Sequence, residues 1–348
     1  TTGDARAEKI RGATGNDVLS GLGGNDIIKG FNGWDKLYGG GGNDKLYGGK
    51  GADTIQLSGA STNYAVIAGD RANNAAIDGD GADSIYIGGT IQNSTIYGGG
   101  GADSVSWSGV VGSGQFINLN AGNDVFTAED LGVISESTVG MGAGDDIFRV
   151  TDTSTIKSST INMGKGADTF SLSSIDVGTG SFASSTIAGG AGADFLLASA
   201  TIQTGGTVGF RLGYNTATDS TVTSMDTIGV GFATEARSGS YVFDYVPANA
   251  SRSTFSGVGV SSTNGVVTFS STYENNVTAR ASAISTLGST AGNTSLFIDG
   301  SGISYLFVKG SGDDNLVVQV GTAAVSGGLG SASVAVASNR TITLNIAS

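Results

Sequence analysis

The chain has 348 residues and a formal net charge of −13, with 60 glycines, one proline, and neither cysteine nor histidine. Without histidine there is no H-E-x-x-H zinc site, no Ser-His-Asp triad and no imidazole base; without cysteine there is no disulfide and no thiolate metal site. The acidic balance lacks the basic footprint that nucleic acid requires, and no run of eighteen apolar residues exists to span a membrane.

Taken in order, residues 1–11 carry no motif and read as a linker. The chain opens on Thr1 with no signal-peptide pattern, so we expect it to be a piece of a longer protein. From Gly12 the text falls into five nonapeptides in unbroken register: GATGNDVLS, GLGGNDIIK, GFNGWDKLY, GGGGNDKLY and GGKGADTIQ. Each has an aspartate at its sixth position (Asp17, Asp26, Asp35, Asp44, Asp53) and an aliphatic two residues later (Leu19, Ile28, Leu37, Leu46, Ile55). A flexible glycine linker has no reason to hold aspartate and aliphatic in nine-residue phase. A phosphate cradle at Gly39–Gly42 is excluded because no G-K-[ST] and helix follow.

This pattern is the calcium-binding parallel β-roll repeat, and the stretch resembles the RTX (hemolysin-type) calcium-binding family of secreted bacterial proteins. The resemblance implies a roll over residues 12–58 in which six residues form a turn and three form a short strand, two repeats completing one circuit. Asp17, Asp35 and Asp53 then stack along one edge, and Asp26 and Asp44 along the other. Stacked rungs lie about 4.8 Å apart, and carboxylates about 5 Å apart repel by roughly 3 kcal/mol at an effective dielectric near 20. A divalent cation reverses that sign, and calcium suits hard carboxylate and carbonyl oxygens. Folding coupled to calcium is therefore expected. Trp34, which stands where a small polar residue is usual, reads as a surface residue.

Beyond Leu57 the nine-residue count stops but the aspartate loop returns, at Asp83, Asp103, Asp124, Asp146, Asp168 and Asp194. Eight residues ahead of four of these stands a threonine of an S-T-[IV] segment (Thr95, Thr138, Thr160, Thr186), with Phe116 and Ala75 in that place in the other two turns. Residues 59–200 are read as the same solenoid with wider turns, two strands per turn, one aspartate edge, and variable loops holding Asp130, Asp152 and Asp176.

From about Thr201 alternating apolar segments (TVGFRL, SYVFDYV, GVVTF, SLFID) suggest antiparallel strands. Asn264–Gly265 reads as a hairpin turn. A helix is predicted with a Ser271/Glu274 capping box, Val277, Ala281, Ile284 and Leu287 on one face, and Gly288 as its stop. The helix followed by SYLFVKGSGDDNLVVQV is similar to RTX C-terminal regions, with Asp314 in a last calcium-type loop. The ending TITLNIAS is similar to an uncleaved type I secretion signal.

The predicted fold is all-β: a right-handed parallel β-roll or β-helix with calcium in its turns, then a β-rich region, 201–348, with one short helix. The predicted metal ligands are Asp17, Asp26, Asp35, Asp44, Asp53, Asp83, Asp103, Asp124, Asp146, Asp168, Asp194 and Asp314, with several Ca2+ ions as cofactor. The functional expectation is a non-enzymatic, secreted, calcium-dependent structural protein. It leaves through a type I apparatus and assembles with itself at the bacterial surface as an S-layer-like lattice. The alternative is an adhesin or polysaccharide-binding module.

Overall fold

A computed structural model describes residues 1–57, 62–63, 66–68, 81–108, 112–129, 132–151, 154–177, 185–202, 210–213, 226–230, 239–244, 251–252, 255–257, 260–263, 266–269, 276–287, 290–291, 293–299, 301, 303–309, 315–320, 333–336 and 342–346. The fold is a parallel β-solenoid, nearly all-β, with one helix among the described residues. From Lys9 to Phe170 most strands of the two main sheets begin immediately after a corner residue and alternate inward and outward side chains, as period-two geometry requires.

Two sheets run the length of the solenoid. In the first, Val18–Ser20, Lys36–Tyr38, Thr54–Leu57, Ser84–Ile87, Ser104–Trp107, Val125–Ala128, Ile147–Thr151, Thr169–Val177, Phe195–Ile202 and Asp226–Val230 pair in parallel in that order. In the second, the parallel order is Lys9–Arg11, Ile27–Asn32, Lys45–Lys50, Val66–Ala68, Thr95–Gly100, Phe116–Ala121, Thr138–Ala143, Thr160–Lys165, Ser185–Ala191, Phe210–Gly213 and Gly239–Asp244.

Because every rung repeats the same register, inward residues form columns. The first sheet contributes Leu19, Leu37, Ile55, Ile85, Val105, Phe126, Phe148 and Phe170; the second contributes Ile10, Ile28, Leu46, Ile96, Ile117, Val139, Ile161 and Ile187. The aliphatics of the nonapeptides thus continue into a phenylalanine stack. Phe126 and Phe148 lie face to face with ring centroids 4.7 Å apart and planes 5° apart, and Phe148 and Phe170 lie 5.3 Å and 13° apart. Trp107 joins Phe126 at 6.3 Å and is fully buried.

Five features differ from the sequence expectation. Residues 1–11 are a turn of the roll rather than a linker: Lys9–Arg11 pairs with Ile27–Lys29, and Ile10 enters the core column. The wider turns carry a third short strand as well as the two predicted. Gly112–Ser113, Val133–Ser135 and Thr155–Lys157 stack as a small sheet that buries Ile134 and Ile156. Thr95 registers with Val66, so Val66 and not Ala75 occupies the threonine position of the preceding turn. The solenoid also runs past residue 201. Phe210–Gly213 and Gly239–Asp244, read as antiparallel strands, extend the second sheet in parallel. The helix, finally, is capped by a different residue from the one expected. The Asn276 side chain accepts the Ala279 N–H at 2.8 Å at the start of Val277–Leu287, while Ser271, Glu274 and Gly288 lie outside the described residues.

The C-terminal region ends both sheets. Asn315–Val320 lies parallel on Asp226–Val230 of the first sheet, and Ile342–Ile346 lies antiparallel on Gly239–Asp244 of the second. A separate apolar cluster of Val260, Val267, Ala281, Ile284, Phe297, Tyr305, Phe307 and Val317 seats the helix. Arg280 is buried there, donating to the Ile298 carbonyl at 2.6 Å and lying over the Phe269 ring. Asn264–Gly265, Asp130, Asp152 and Asp314 lie outside the described residues.

Truncating the middle ring of the stack, Phe148→Ala, is expected to cost about 3–5 kcal/mol. The outward Thr127→Ala is expected to cost within about 0.5 kcal/mol. Urea unfolding of the calcium-loaded protein checks both, and equal losses would contradict the columnar core.

Candidate metal centre

The corner ahead of each first-sheet strand sets the geometry. There the backbone N–H of one aspartate donates to Oδ1 of the aspartate one rung further on. The series is Asp17 to Asp35 (2.8 Å), Asp35 to Asp53 (2.8 Å), Asp53 to Asp83 (2.6 Å), Asp83 to Asp103 (2.8 Å), Asp103 to Asp124 (2.8 Å), Asp124 to Asp146 (2.7 Å), Asp146 to Asp168 (2.8 Å) and Asp168 to Asp194 (3.0 Å). The sequence separation grows from 18 to 30 and then runs 20, 21, 22, 22 and 26, yet the contact is unchanged. On the opposite edge the Glu8 N–H donates to Asp26 at 2.8 Å and the Asp26 N–H to Asp44 at 2.9 Å.

The stack therefore brings together the predicted aspartates as two ladders: Asp26 and Asp44 on one edge, the other described ones on the second. It adds two acidic residues that sequence reading missed. Glu8 occupies the aspartate corner of a degenerate repeat, Gly3 to Arg11, whose signal was the glycine five residues before an acid and the aliphatic two after it. Asp226 accepts the Asp194 N–H at 3.0 Å, 32 residues on, and has no glycine loop to betray it.

One carboxylate oxygen is thus fixed by the fold. The other, Oδ2 of Asp26, Asp35, Asp44, Asp53, Asp124, Asp146 and Asp168, is buried and meets no hydrogen-bond donor. An orphaned buried anion is costly unless neutralised by a proton or a cation. In the loops of Asp26, Asp35 and Asp44 the opening glycine makes room for this oxygen: a Cβ at residue 39 would lie 2.7 Å from Asp44 Oδ2. The fourth loop position turns carbonyls from rung to rung. At Gly33, φ is +136°, and a side chain there would overlap the Gly15 carbonyl.

No three acidic, His or Cys side chains gather at one point among the described residues. A cation here is instead offered one carboxylate per rung together with glycine carbonyls, a hard, all-oxygen, adaptable set that fits calcium and not zinc.

Burial raises the carboxyl pKa of Asp26, Asp35 and Asp44 above the ordinary aspartate range, opposed by the backbone N–H each accepts and reinforced by the acid one rung away. The same causes push Asp53 up to about 6, and burial pushes Asp124, Asp146 and Asp168 up to about 7.

The second edge changes chemistry after Asp44. At the equivalent corners stand Ser94, Gln115, Ser137, Ser159 and Ser185. Each keeps the inter-rung bond: Ser94 N–H to Gln115 Oε1 (2.9 Å), Gln115 N–H to Ser137 Oγ (3.1 Å), Ser137 N–H to Ser159 Oγ (3.1 Å) and Ser159 N–H to Ser185 Oγ (3.3 Å). Their own donors are consumed locally, Ser137 Oγ on the Ser135 carbonyl at 2.6 Å and Ser159 Oγ on the Lys157 carbonyl at 2.7 Å. This ladder is neutral and internally satisfied, so it has no use for a cation.

A solenoid whose rungs each present a buried carboxylate and glycine carbonyls defines a calcium-binding repeat protein. The family of the RTX calcium-binding nonapeptide repeat (4 copies) matches residues 2–30, 29–59 and 170–200, so the chain carries RTX calcium-binding repeats and takes Ca2+ as its ion. The chain is also similar to the X-ray structure of a hyperactive, Ca2+-dependent, β-helical antifreeze protein from an Antarctic bacterium. Identity is 20%, the TM-score is 0.45, and the match covers 65% of this chain and 67% of that one. No curated protein matches the chain.

Two predictions follow from the ladders. Carboxyls raised to about 6–7 bind more protons folded than unfolded, where their pKa is about 3.9. The stability they carry is therefore complete below about pH 4 and lost as pH rises through about 7. In EDTA the protein is expected to be more stable at about pH 5 than at about pH 8, with calcium reversing the order; circular dichroism melts in both buffers test it. Second, Asp146→Asn is expected to stabilise the metal-free protein at about pH 8 and to destabilise the calcium-loaded one by about 1–3 kcal/mol. Ser137→Ala is expected to cost about 1 kcal/mol with or without calcium. A calcium-dependent effect of the serine would contradict the neutral second edge.

Proposed function

We propose that the chain is a calcium-ordered structural protein of the bacterial surface, exported by a type I apparatus, folding on extracellular calcium and assembling with itself into an S-layer-like lattice or matrix. In this reading the ligands are Asp17, Asp26, Asp35, Asp44, Asp53, Asp83, Asp103, Asp124, Asp146, Asp168 and Asp194, with Asp314 in a separate C-terminal loop. RTX repeats on a β-solenoid are typical of structural or binding proteins, and we assign no catalytic role. The observation that carries the reading is the unbroken carboxylate ladder. It makes the whole length of the solenoid, and hence any surface displayed on it, conditional on one extracellular ion. Among the described residues no helix is long and apolar enough to cross a membrane.

Calcium is expected to act in the range of about 10⁻⁴–10⁻³ M typical of extracellular modules. Circular dichroism and size-exclusion chromatography against free calcium should show strand gain and compaction that EDTA reverses. Sedimentation and negative-stain microscopy of the same samples should show sheets or large particles. Compaction without assembly would remove the lattice, and no structural gain at all would remove the calcium-folding premise.

A further inference from the structure

The N-terminal roll has an unusual charge layout. Residues 1–57 hold seven basic and seven acidic residues, so the whole formal charge of −13 falls on residues 58–348. Of those seven acids, Asp26, Asp35, Asp44 and Asp53 are buried, whereas Lys9, Arg11, Lys36, Lys45 and Lys50 are exposed. The outward surface of this segment is cationic on a protein that is otherwise acidic.

Two cations, half-buried Lys29, whose ammonium lies 5.0 Å from the Tyr47 ring centroid, and exposed Lys36, flank two exposed aromatic residues in the chain. The segment Lys29–Lys36 (KGFNGWDK) turns the aspartate edge with Lys29 on the second-sheet shoulder, Lys36 on the first-sheet shoulder, and Phe31 and Trp34 between them, 45% and 67% exposed. Phe31 holds a left-handed φ of +83° where the next rung has Gly49, so an apolar side chain is displayed at a position that favours glycine. The Trp34 backbone is pinned by its N–H to Asn16 Oδ1 at 2.9 Å. Neighbouring rungs extend the set: Arg11 registers with Lys29, and Lys50 with Asn32.

We infer that this ridge is a binding surface for an acidic polysaccharide. Pyranose rings present apolar C–H faces that stack on exposed indole and phenyl rings, while carboxylate or sulfate groups along the chain meet cations repeated from rung to rung. A linear polyanion suits a narrow ridge, whereas a stable protein partner needs a broad complementary face of about 800 Å². The inference does not rest on lattice assembly, only on the calcium-folded roll.

The test uses the calcium-loaded full chain on immobilised dextran sulfate and hyaluronan, with neutral dextran and duplex DNA as comparisons. Binding to both acidic polymers, weakened by salt and absent on dextran, is expected. Trp34→Ala and the pair Lys29→Gln/Lys36→Gln should each weaken it about tenfold or more, in line with an anchor residue. The pair Lys157→Gln/Lys165→Gln, exposed on later turns, should leave it unchanged. Calcium-dependent circular dichroism confirms that each variant folds. Wild-type affinity in Trp34→Ala or in the Lys29/Lys36 pair, an equal loss in the control pair, equal binding to dextran, or tighter binding to DNA would overturn the inference. Calcium-induced sedimentation of the same variants should match wild type. If the ridge variants instead lose assembly, the ridge is a contact between copies of this chain and the inference fails.

Discussion

Everything in this solenoid depends on how one backbone N–H per corner is satisfied. The chain must turn sharply before each strand, and the N–H at the turn points along the axis toward the next rung, where an acceptor has to be waiting. The protein meets this requirement with a side-chain oxygen from the following rung, and it uses two chemistries to do so. An aspartate supplies the acceptor but brings a second oxygen and a negative charge into a buried position. A serine or glutamine supplies the acceptor and disposes of its own donor on a nearby carbonyl. The first solution makes a rung incomplete without a counter-ion; the second makes it self-sufficient. Metal dependence is thus written corner by corner.

The corner contact also fixes everything inward of it. From Asp17 to Asp168 each aspartate of this edge sits one residue before its strand, the side chain two further on points to the core, and inter-rung pairing keeps it in line with its equivalents. Turn length varies from 18 to 32 residues while the inter-rung corner contact is kept. The same rigidity permits the change from Leu and Ile to stacked Phe126, Phe148 and Phe170 as the turns widen.

What was legible in the sequence follows from this division. The five nonapeptides and the later aspartates were readable because glycine, aspartate and aliphatic co-occur at those corners, as they do not at Asp226. The continuation of the Asp17 edge through Asp194 was legible for the same reason. Residues 3–11 were not, since Glu8 reaches the same place with a longer side chain and loses the G-x-D spelling. The Ser/Gln ladder was hidden in plain composition: serine before threonine is too common to signal an inter-rung bond, although the Thr95, Thr138, Thr160 and Thr186 phase was its shadow. Past residue 201, Phe210–Gly213 and Gly239–Asp244 alternate like any antiparallel strand. Only tertiary pairing distinguishes a rung from a hairpin.

The ion has a second consequence, set by where the charges lie. In residues 1–57 four of the seven acids are buried, on both edges, and six of the seven bases are exposed. Without metal the buried carboxylates oppose the outer lysines and each other, and raised pKa values show how poorly that charge is tolerated. A calcium ion brings two positive charges to a corner, so a bound ion would unmask the cationic exterior above it. In the described wider turns only one edge carries ladder carboxylates, and the formal charge of −13 falls on residues 58–348. With calcium bound, the two stretches would therefore differ in charge, positive in the N-terminal roll and negative beyond. A polyanion or an acidic neighbour approaching the folded protein meets an orientation that the unfolded chain, with acids and bases intermixed, does not possess.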